Sequence, residues 1–105
     1  MNHCKAVFSQ NAVDGLLEIS DYIALDKPVK AGSFVKELTT SLKKTLSIFP
    51  YSGKVVENLD LDKEIRIFSH GSYNNYYRVL DGKQTVEVLF IFNASRDIDS
   101  LITSL

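Results

Sequence analysis

Hydrophobic residues recur along this chain with two different periods, and the change of period divides it in half. Ala12, Leu16, Ile19 and Ile23 follow one another at helical steps, which places them on one stripe of an α-helix. Val13, Leu17, Ser20 and Ala24 widen that stripe. Ser9 stands just before it, where a hydroxyl can accept an otherwise unpaired backbone N–H, with Asn11 as a rival cap. Lys5 to Phe8 reads as a short apolar strand ahead of the cap. Gly15 interrupts the helix at a cost of about 1 kcal/mol relative to alanine, which a close packing contact at that position would offset. Leu25-Asp26-Lys27 forms a break, and Pro28 suits the first turn of a second helix, where its missing N–H is not needed. Ala31, Phe34, Val35, Leu38, Leu42, Thr45, Leu46 and Phe49 make the strongest helical stripe of the sequence, with Lys30, Lys36, Glu37, Lys43 and Lys44 on other faces. Pro50, Ser52 and Gly53 end that helix.

Beyond residue 63 the period falls to two. Glu64 to Phe68, Tyr73 to Leu80 and Thr85 to Phe92 are rich in β-branched and aromatic residues, and SHGS and DGKQ separate them with good turn compositions. Three consecutive antiparallel strands are expected. Asp81-Gly82 fits a two-residue turn, whereas a four-residue loop sets Arg78 opposite Glu87; both registers keep the same side-chain parity. Under that parity Tyr73, Asn75, Tyr77 and Val79 share the core face with Val86, Val88, Phe90 and Phe92, and Asn75 needs a buried partner. The opposite face then carries Asn74, Tyr76 and Arg78 beside Glu87, Leu89 and Ile91, and Arg66 joins it if Ile65 and Ile67 point into the core. At the C-terminus, Ile98, Leu101, Ile102 and Leu105 fall at helical offsets behind Asp97 and Asp99. A helix that short needs packing, on this chain or on a partner. The expected architecture is α+β, ordered β-α-α-β-β-β, with a helix hairpin on one face of a mainly antiparallel sheet and a short C-terminal helix or tail.

Composition narrows the function classes. The 105 residues, 45% of them hydrophobic, suit one domain spanning 1–105, large enough for a core without disulfides. The lone cysteine, Cys4, can neither staple the fold nor supply a zinc cluster, so a reducing, cytoplasmic location is the economical expectation. The longest apolar run, near VEVLFIF, is far below the roughly 20 residues of a membrane span, and the N-terminus lacks a secretory layout. A net charge of −1 argues against strong nonspecific binding to nucleic acid.

Few residues offer chemistry. The chain has no phosphate-cradling glycine loop, no HExxH, no GxSxG and no CxxC. His3 and His70 lack partners at metal-ligand spacing, so neither a metal nor a cofactor is expected. His70, in the SHGS turn, reads as an exposed loop residue, with general acid work as its sharper alternative. Cys4 borders a strand and reads as a small hydrophobe. Tyr76, on the presumed open face, is the best functional candidate among the tyrosines. Arg78 has a ready structural role, a cross-strand pair with Glu87. Arg66 interrupts an apolar strand and is harder to explain structurally. Arg96 lies just past the last strand, where it can meet carboxylates or an acidic partner.

The ordered series AVDGLLEISDYIA, DKPVKAGSF, LSIFPYSGK, EIRIF, YNNYYRVLDG and TVEVLFIFNASRD resembles the ParE/RelE toxin superfamily of type II toxin–antitoxin modules. The ParE branch is the nearer match. Its pattern has an L-x-x-I-x-x-Y-I-type helix, an N-P or D-x-P break, a P-x-x-G exit, an arginine strand, a Y-R-V strand and a terminal Arg-Asp. By position, Arg66 matches the strand arginine, Tyr77-Arg78-Val79 the Y-R-V strand and Arg96-Asp97 the terminal pair. The resemblance implies a toxin neutralised by a cognate antitoxin that wraps it and, for the ParE branch, inhibition of DNA gyrase through Arg66, Arg78, Arg96 and Tyr76. The antitoxin is then expected on the stripe Ile98, Leu101, Ile102 and Leu105. The RelE branch implies instead a ribosome-dependent endoribonuclease cleaving mRNA, with Arg66, Arg96, Tyr76 and His70 as its groups. Asn93 where many relatives carry histidine, the lack of Tyr or His after Arg96, and the slight acidity all weigh against the nuclease. A nontoxic interaction domain is the third reading, and self-association as a homodimer stands open beside the monomer.

Overall fold

The protein, a computed structural model describing residues 4–56 and 64–94, is a five-stranded mixed sheet with two helices on one face. Strand β1 (Lys5–Phe8) leads into the helix hairpin α1 (Gln10–Ala24) and α2 (Pro28–Ile48). The chain then adds β2 (Lys54–Val55), β3 (Arg66–His70), β4 (Tyr73–Leu80) and β5 (Thr85–Asn93). The spatial order is β1-β5-β4-β3-β2, antiparallel except that β5 returns beside β1 in parallel. The helix hairpin therefore carries the chain across the sheet to its far edge, and the three-strand meander brings it back. No helix among the described residues is long and apolar enough to cross a membrane.

Local chemistry explains the helix boundaries. The Ser9 hydroxyl accepts from the Ala12 N–H at 3.1 Å and donates to the Leu89 carbonyl at 2.7 Å, so one side chain caps α1 and ties it to β5. Asn11 lies inside the helix. Pro28 is the first residue of α2, as its lack of an N–H favours. The buried stripes Ala12, Leu16, Ile19 and Leu38, Leu42, Leu46 meet Tyr77, Val86, Val88 and Ile91 in the main core. Gly15 is buried where α1 crosses β5: a Cβ built there would stand 2.5 Å from the Ile91 carbonyl oxygen. The close contact expected from its helix cost is thus present.

The sheet corrects the expected parity. Tyr77 pairs with Val88 and Val79 with Val86, but a bulge between Tyr76 and Tyr77 shifts the register, so Tyr76 meets Phe90 and Asn75 meets Ile91. From Val88 to Phe90 β5 takes two steps, through the extra residue Leu89, against one step of β4, and side-chain alternation resets. Ile91 consequently enters the main core. Phe90 and Phe92, expected there, belong to a second cluster with Ile65, Tyr76, Ile67 and Leu89. Phe90 and Phe92 stack at 5.6 Å between ring centroids. Asn75 is fully buried, its Nδ2 donating to the Phe68 carbonyl at 2.9 Å, while its Oδ1 has no partner among the described residues.

Two further differences are local. Strand β3 begins at Arg66 and runs through Ser69 and His70, leaving only Gly71-Ser72 as the turn, because Gly71 takes φ +60 at no steric cost. The loop after β4 is the four-residue alternative, a 3₁₀ turn at Asp81–Lys83 plus Gln84, and it sets Arg78 opposite Glu87. The expected C-terminal helix, with Ile98, Leu101, Ile102 and Leu105, lies outside the described residues, as do Arg96 and His3.

Gly15→Ala is expected to lower unfolding stability by about 2 kcal/mol, because overpacking against a backbone carbonyl outweighs the gain in helix propensity. Urea denaturation checks this. A stabilised variant would mean that α1 can lift off β5 freely.

Candidate functional site

Arg66 and Arg78 occupy opposite faces of the sheet. Arg66 pairs with Tyr77, whose ring lies in the main core beneath the helices, so Arg66 shares the helix-side face. The expectation that Arg66 joins Arg78 on an open face is corrected, because Ile65 and Ile67 turn to the second cluster instead. Arg66 is a clamp. Its Nη1 donates to the Gly53 carbonyl at 2.8 Å and the Tyr51 carbonyl at 3.2 Å; its Nε and Nη2 reach one Glu64 carboxylate oxygen at 3.1 and 2.8 Å. The guanidinium also lies 5.1 Å from the centre of the Tyr51 ring. Four of its five N–H groups are thereby engaged in holding the α2 exit loop over β3.

Residues that sequence pattern passed over complete this corner. The Tyr77 hydroxyl accepts the Gly53 N–H at 2.8 Å, and a Cβ at Gly53 would come within 2.7 Å of the Ile67 carbonyl oxygen. Gly53 is thus required by the closeness of two strands and a ring. The Tyr51 hydroxyl donates to the Asp81 carboxylate, joining the same loop to the β4–β5 turn. That bond, with Asp81 nearby as an anion, raises the Tyr51 pKa; burial is the main cause of the raised Tyr77 pKa. The one available sequence signal was the PYSG string itself, which marks a helix exit without saying what it packs on.

Arg78 differs. Its Nε donates to Glu87 at 2.7 Å, both side chains a quarter exposed, and its two terminal amino groups have no partner among the described residues. The cross-strand pair contributes about 0.5 to 1 kcal/mol at such exposure, and most of the guanidinium's hydrogen-bonding capacity is unused among the described residues. Tyr76, expected on the open face, is only 6% exposed, packed at 6.4 Å edge-on to Phe92 within the second cluster. The bulge buries it. His70, expected in a loop, is the last residue of β3, half-buried and paired with Tyr73.

Concave surface lies elsewhere. A shallow groove of about 240 Å³ runs between α1 and the end of β5, lined by Gly15, Ile19, Tyr22, Tyr73 and Ile91 among others. A second, at the hairpin tip, shares Tyr22 and Tyr73 with it. Both are mostly apolar, suited to side chains of another protein more than to charged small molecules. No group of three or more potential metal ligands occurs among the described residues.

The fold defines a class. A chain from the chromosomal ParDE toxin–antitoxin system of P. aeruginosa superposes with a TM-score of 0.71 at 19% identity, covering 89% of this chain and 98% of that one. A chain of the RelBE2 toxin–antitoxin complex of Mycobacterium tuberculosis gives 0.65 at 18%, covering 90% and 97%. A free-state mutant of E. coli toxin RelE gives 0.60 at 14%, covering 99% and 96%. At these identities the likeness is one of fold, shared by both branches of the toxins. Sequence decides between them: residues 6–98 match the family described as the ParE toxin of the type II toxin–antitoxin system parDE, and the chain belongs to that family. No curated protein sequence matches it.

Two outcomes test the separation of roles. Arg66→Ala is expected to cost about 2 kcal/mol in stability by freeing the exit loop and leaving Glu64 unpaired, whereas Arg78→Ala costs less than about 1 kcal/mol. Denaturant titrations of both measure this, and equal losses would remove the distinction. For Tyr77, the raised pKa means that the folded chain keeps a proton the unfolded chain releases near 10.0. Its contribution is complete below that pH and is lost as pH rises through the folded value. The melting temperature should therefore fall above about pH 10, and less steeply in Tyr77→Phe, which cannot ionise.

Proposed function

We propose that this toxin acts by binding DNA gyrase rather than by cutting RNA, and that a cognate antitoxin neutralises it. The observation that carries the reading is the dispersal of the groups a nuclease would need. Arg66 lies on the helix side of the sheet with its donors occupied, whereas Tyr76 is buried on the other side. His70 shares the face of Arg66 but stands four residues along β3, roughly 13 Å away at the rise of a strand. General acid, general base and phosphate-stabilising cation must meet within hydrogen-bond reach of one bond, and these three do not. Protein binding asks less: an exposed cation and apolar surface around it.

Arg78, whose amino groups have no partner among the described residues, is the described residue best suited to contact the target, and Arg96 is its proposed companion in the tail. Tyr76 contributes by fixing the floor beneath them. The antitoxin uses the tail stripe Ile98, Leu101, Ile102 and Leu105, together with the apolar grooves that meet at Tyr22 and Tyr73. The P. aeruginosa neighbour comes from a ParDE system, and the M. tuberculosis one from a toxin–antitoxin complex; both support an antitoxin partner here.

Purified protein is expected to inhibit gyrase supercoiling in vitro, and Arg78→Ala to raise the half-inhibitory concentration at least about tenfold, the equivalent of 1.4 kcal/mol, with little change in melting temperature. Primer extension on translated messages runs in parallel. Supercoiling unaffected at saturating protein, with new cuts in translated mRNA, would overturn the proposal in favour of the RelE-type activity. Neither activity from a folded protein would leave a nontoxic interaction domain.

A further inference from the structure

The helix hairpin is electrostatically polarised. Helix α1 carries Asp14, Glu18 and Asp21 and no basic residue, whereas α2 carries Lys30, Lys36, Lys43 and Lys44 against the single Glu37. Among the described residues Asp14 and Asp21 form no ion pair with α2, and Lys36 and Lys43 have no carboxylate partner; the pairs Arg66–Glu64 and Arg78–Glu87 lie away from the hairpin, at the strands. The charges stand on the outward faces. With Ala12, Gly15, Leu16 and Ile19 buried, Asp14, Leu17 and Asp21 point away from the sheet; with Ala31, Leu38 and Leu42 buried, Lys36 and Lys43 do the same.

Apolar surface accompanies them. Leu17 is 59% exposed, Leu25 86% and Val29 90%, the last two at the tip where the helices join. An isolated exposed leucine needs no explanation, but Leu17 between Asp14 and Asp21 on α1, with Leu25 and Val29 together at the tip, adds apolar surface of the kind that marks an interface.

We propose that this face binds a second copy of the chain, forming a two-fold dimer in which acidic α1 of each protomer lies across basic α2 of the other. Symmetry makes the match self-complementary, since one contact of acid on base generates its equivalent. It also selects the axis. A two-fold parallel to the helices stacks α1 on α2 and brings both hairpin tips to the same end, whereas a two-fold across them stacks α1 on α1, acid on acid. In the favoured arrangement the charge spacing agrees. Asp14 and Asp21 are seven residues apart, as are Lys36 and Lys43. At about 1.5 Å per residue, measured from the tip, Asp21 sits roughly 6 Å along α1 and Lys36 roughly 12 Å along α2, and Asp14 and Lys43 repeat the same offset. An extended lysine side chain spans that offset. Leu25 and Val29 then meet their symmetry copies at the tip, supplying the apolar centre, and the chain's net charge of −1 opposes association only weakly. The inference does not depend on the gyrase reading.

Sedimentation equilibrium of the purified chain at low salt tests it, with a paired charge swap as the decisive arm. Wild type is expected to dimerise, with a dissociation constant that rises with salt. The double variant Asp14→Lys with Asp21→Lys makes both helices basic, and Lys36→Glu with Lys43→Glu makes both acidic; each alone should dissociate at least about tenfold more readily, with unchanged circular dichroism. Mixed in equal amounts, the two should form a heterodimer. A monomeric wild type at all concentrations, or variants that dimerise like wild type, would overturn the proposal, and so would a mixture that stays monomeric. Loss of antitoxin binding in both variants, with wild type monomeric, would assign the face to the antitoxin instead.

Discussion

The contact between α1 and β5 governs this molecule. At Gly15 the helix comes so close to the Ile91 carbonyl that no side chain fits between them, and six residues earlier Ser9 both caps the helix and donates to the Leu89 carbonyl. Leu89 is the residue by which β5 exceeds its partner strand. A bulge leaves a backbone group outside the regular ladder, and an unpaired carbonyl at a packed surface is costly. Here the cap hydroxyl satisfies it. Helix start, helix position and strand irregularity are one interaction seen from three sides.

From that bulge follows the distribution of aromatic residues. Ile91 enters the main core under α1, while Phe90 and Phe92 turn to the other face, stacked on each other and packed in one cluster with Tyr76 and Ile65. The sheet thus has apolar clusters on both faces, and Tyr76, which alternation alone leaves in the open, becomes part of the packing. The two arginines divide in the same way. Arg66, on the helix side, spends its donors on the exit loop and Glu64, and Arg78, on the other, pairs through Nε with Glu87 and has no further partner among the described residues. Residues twelve apart in the chain, both aligned with arginines of one family pattern, therefore have different surroundings.

Much of this was legible in the pattern of the chain. The helical stripes, the Ser9 cap, Pro28 at the first turn of α2 and the close approach at Gly15 all rest on interactions between residues near in sequence, or on a steric requirement that a single residue type expresses. The Arg78–Glu87 pair followed from a hairpin only four residues long. The β2 strand was not legible, since two residues carry no period, and neither was the Gly53–Tyr77–Arg66 corner, whose members come from three separate segments. The family resemblance aligned Arg66 with a functional position, yet its donors face the exit loop, a packing that position in a motif does not disclose.

Periodicity, capping and turn chemistry thus suffice for the α+β class and the order of the longer elements, and the ordered motifs carried the family resemblance. They are local properties, written every two or three to four residues. Which face each strand residue takes belongs to the tertiary structure, because a single inserted residue reverses alternation for everything beyond it, and nothing in VEVLFIF distinguishes a bulged strand from a regular one. The parallel return of β5 to β1, the burial of Tyr76 and the exposure of an acidic helix beside a basic one have the same origin. Each depends on segments distant in the chain being brought together, and only packing decides that.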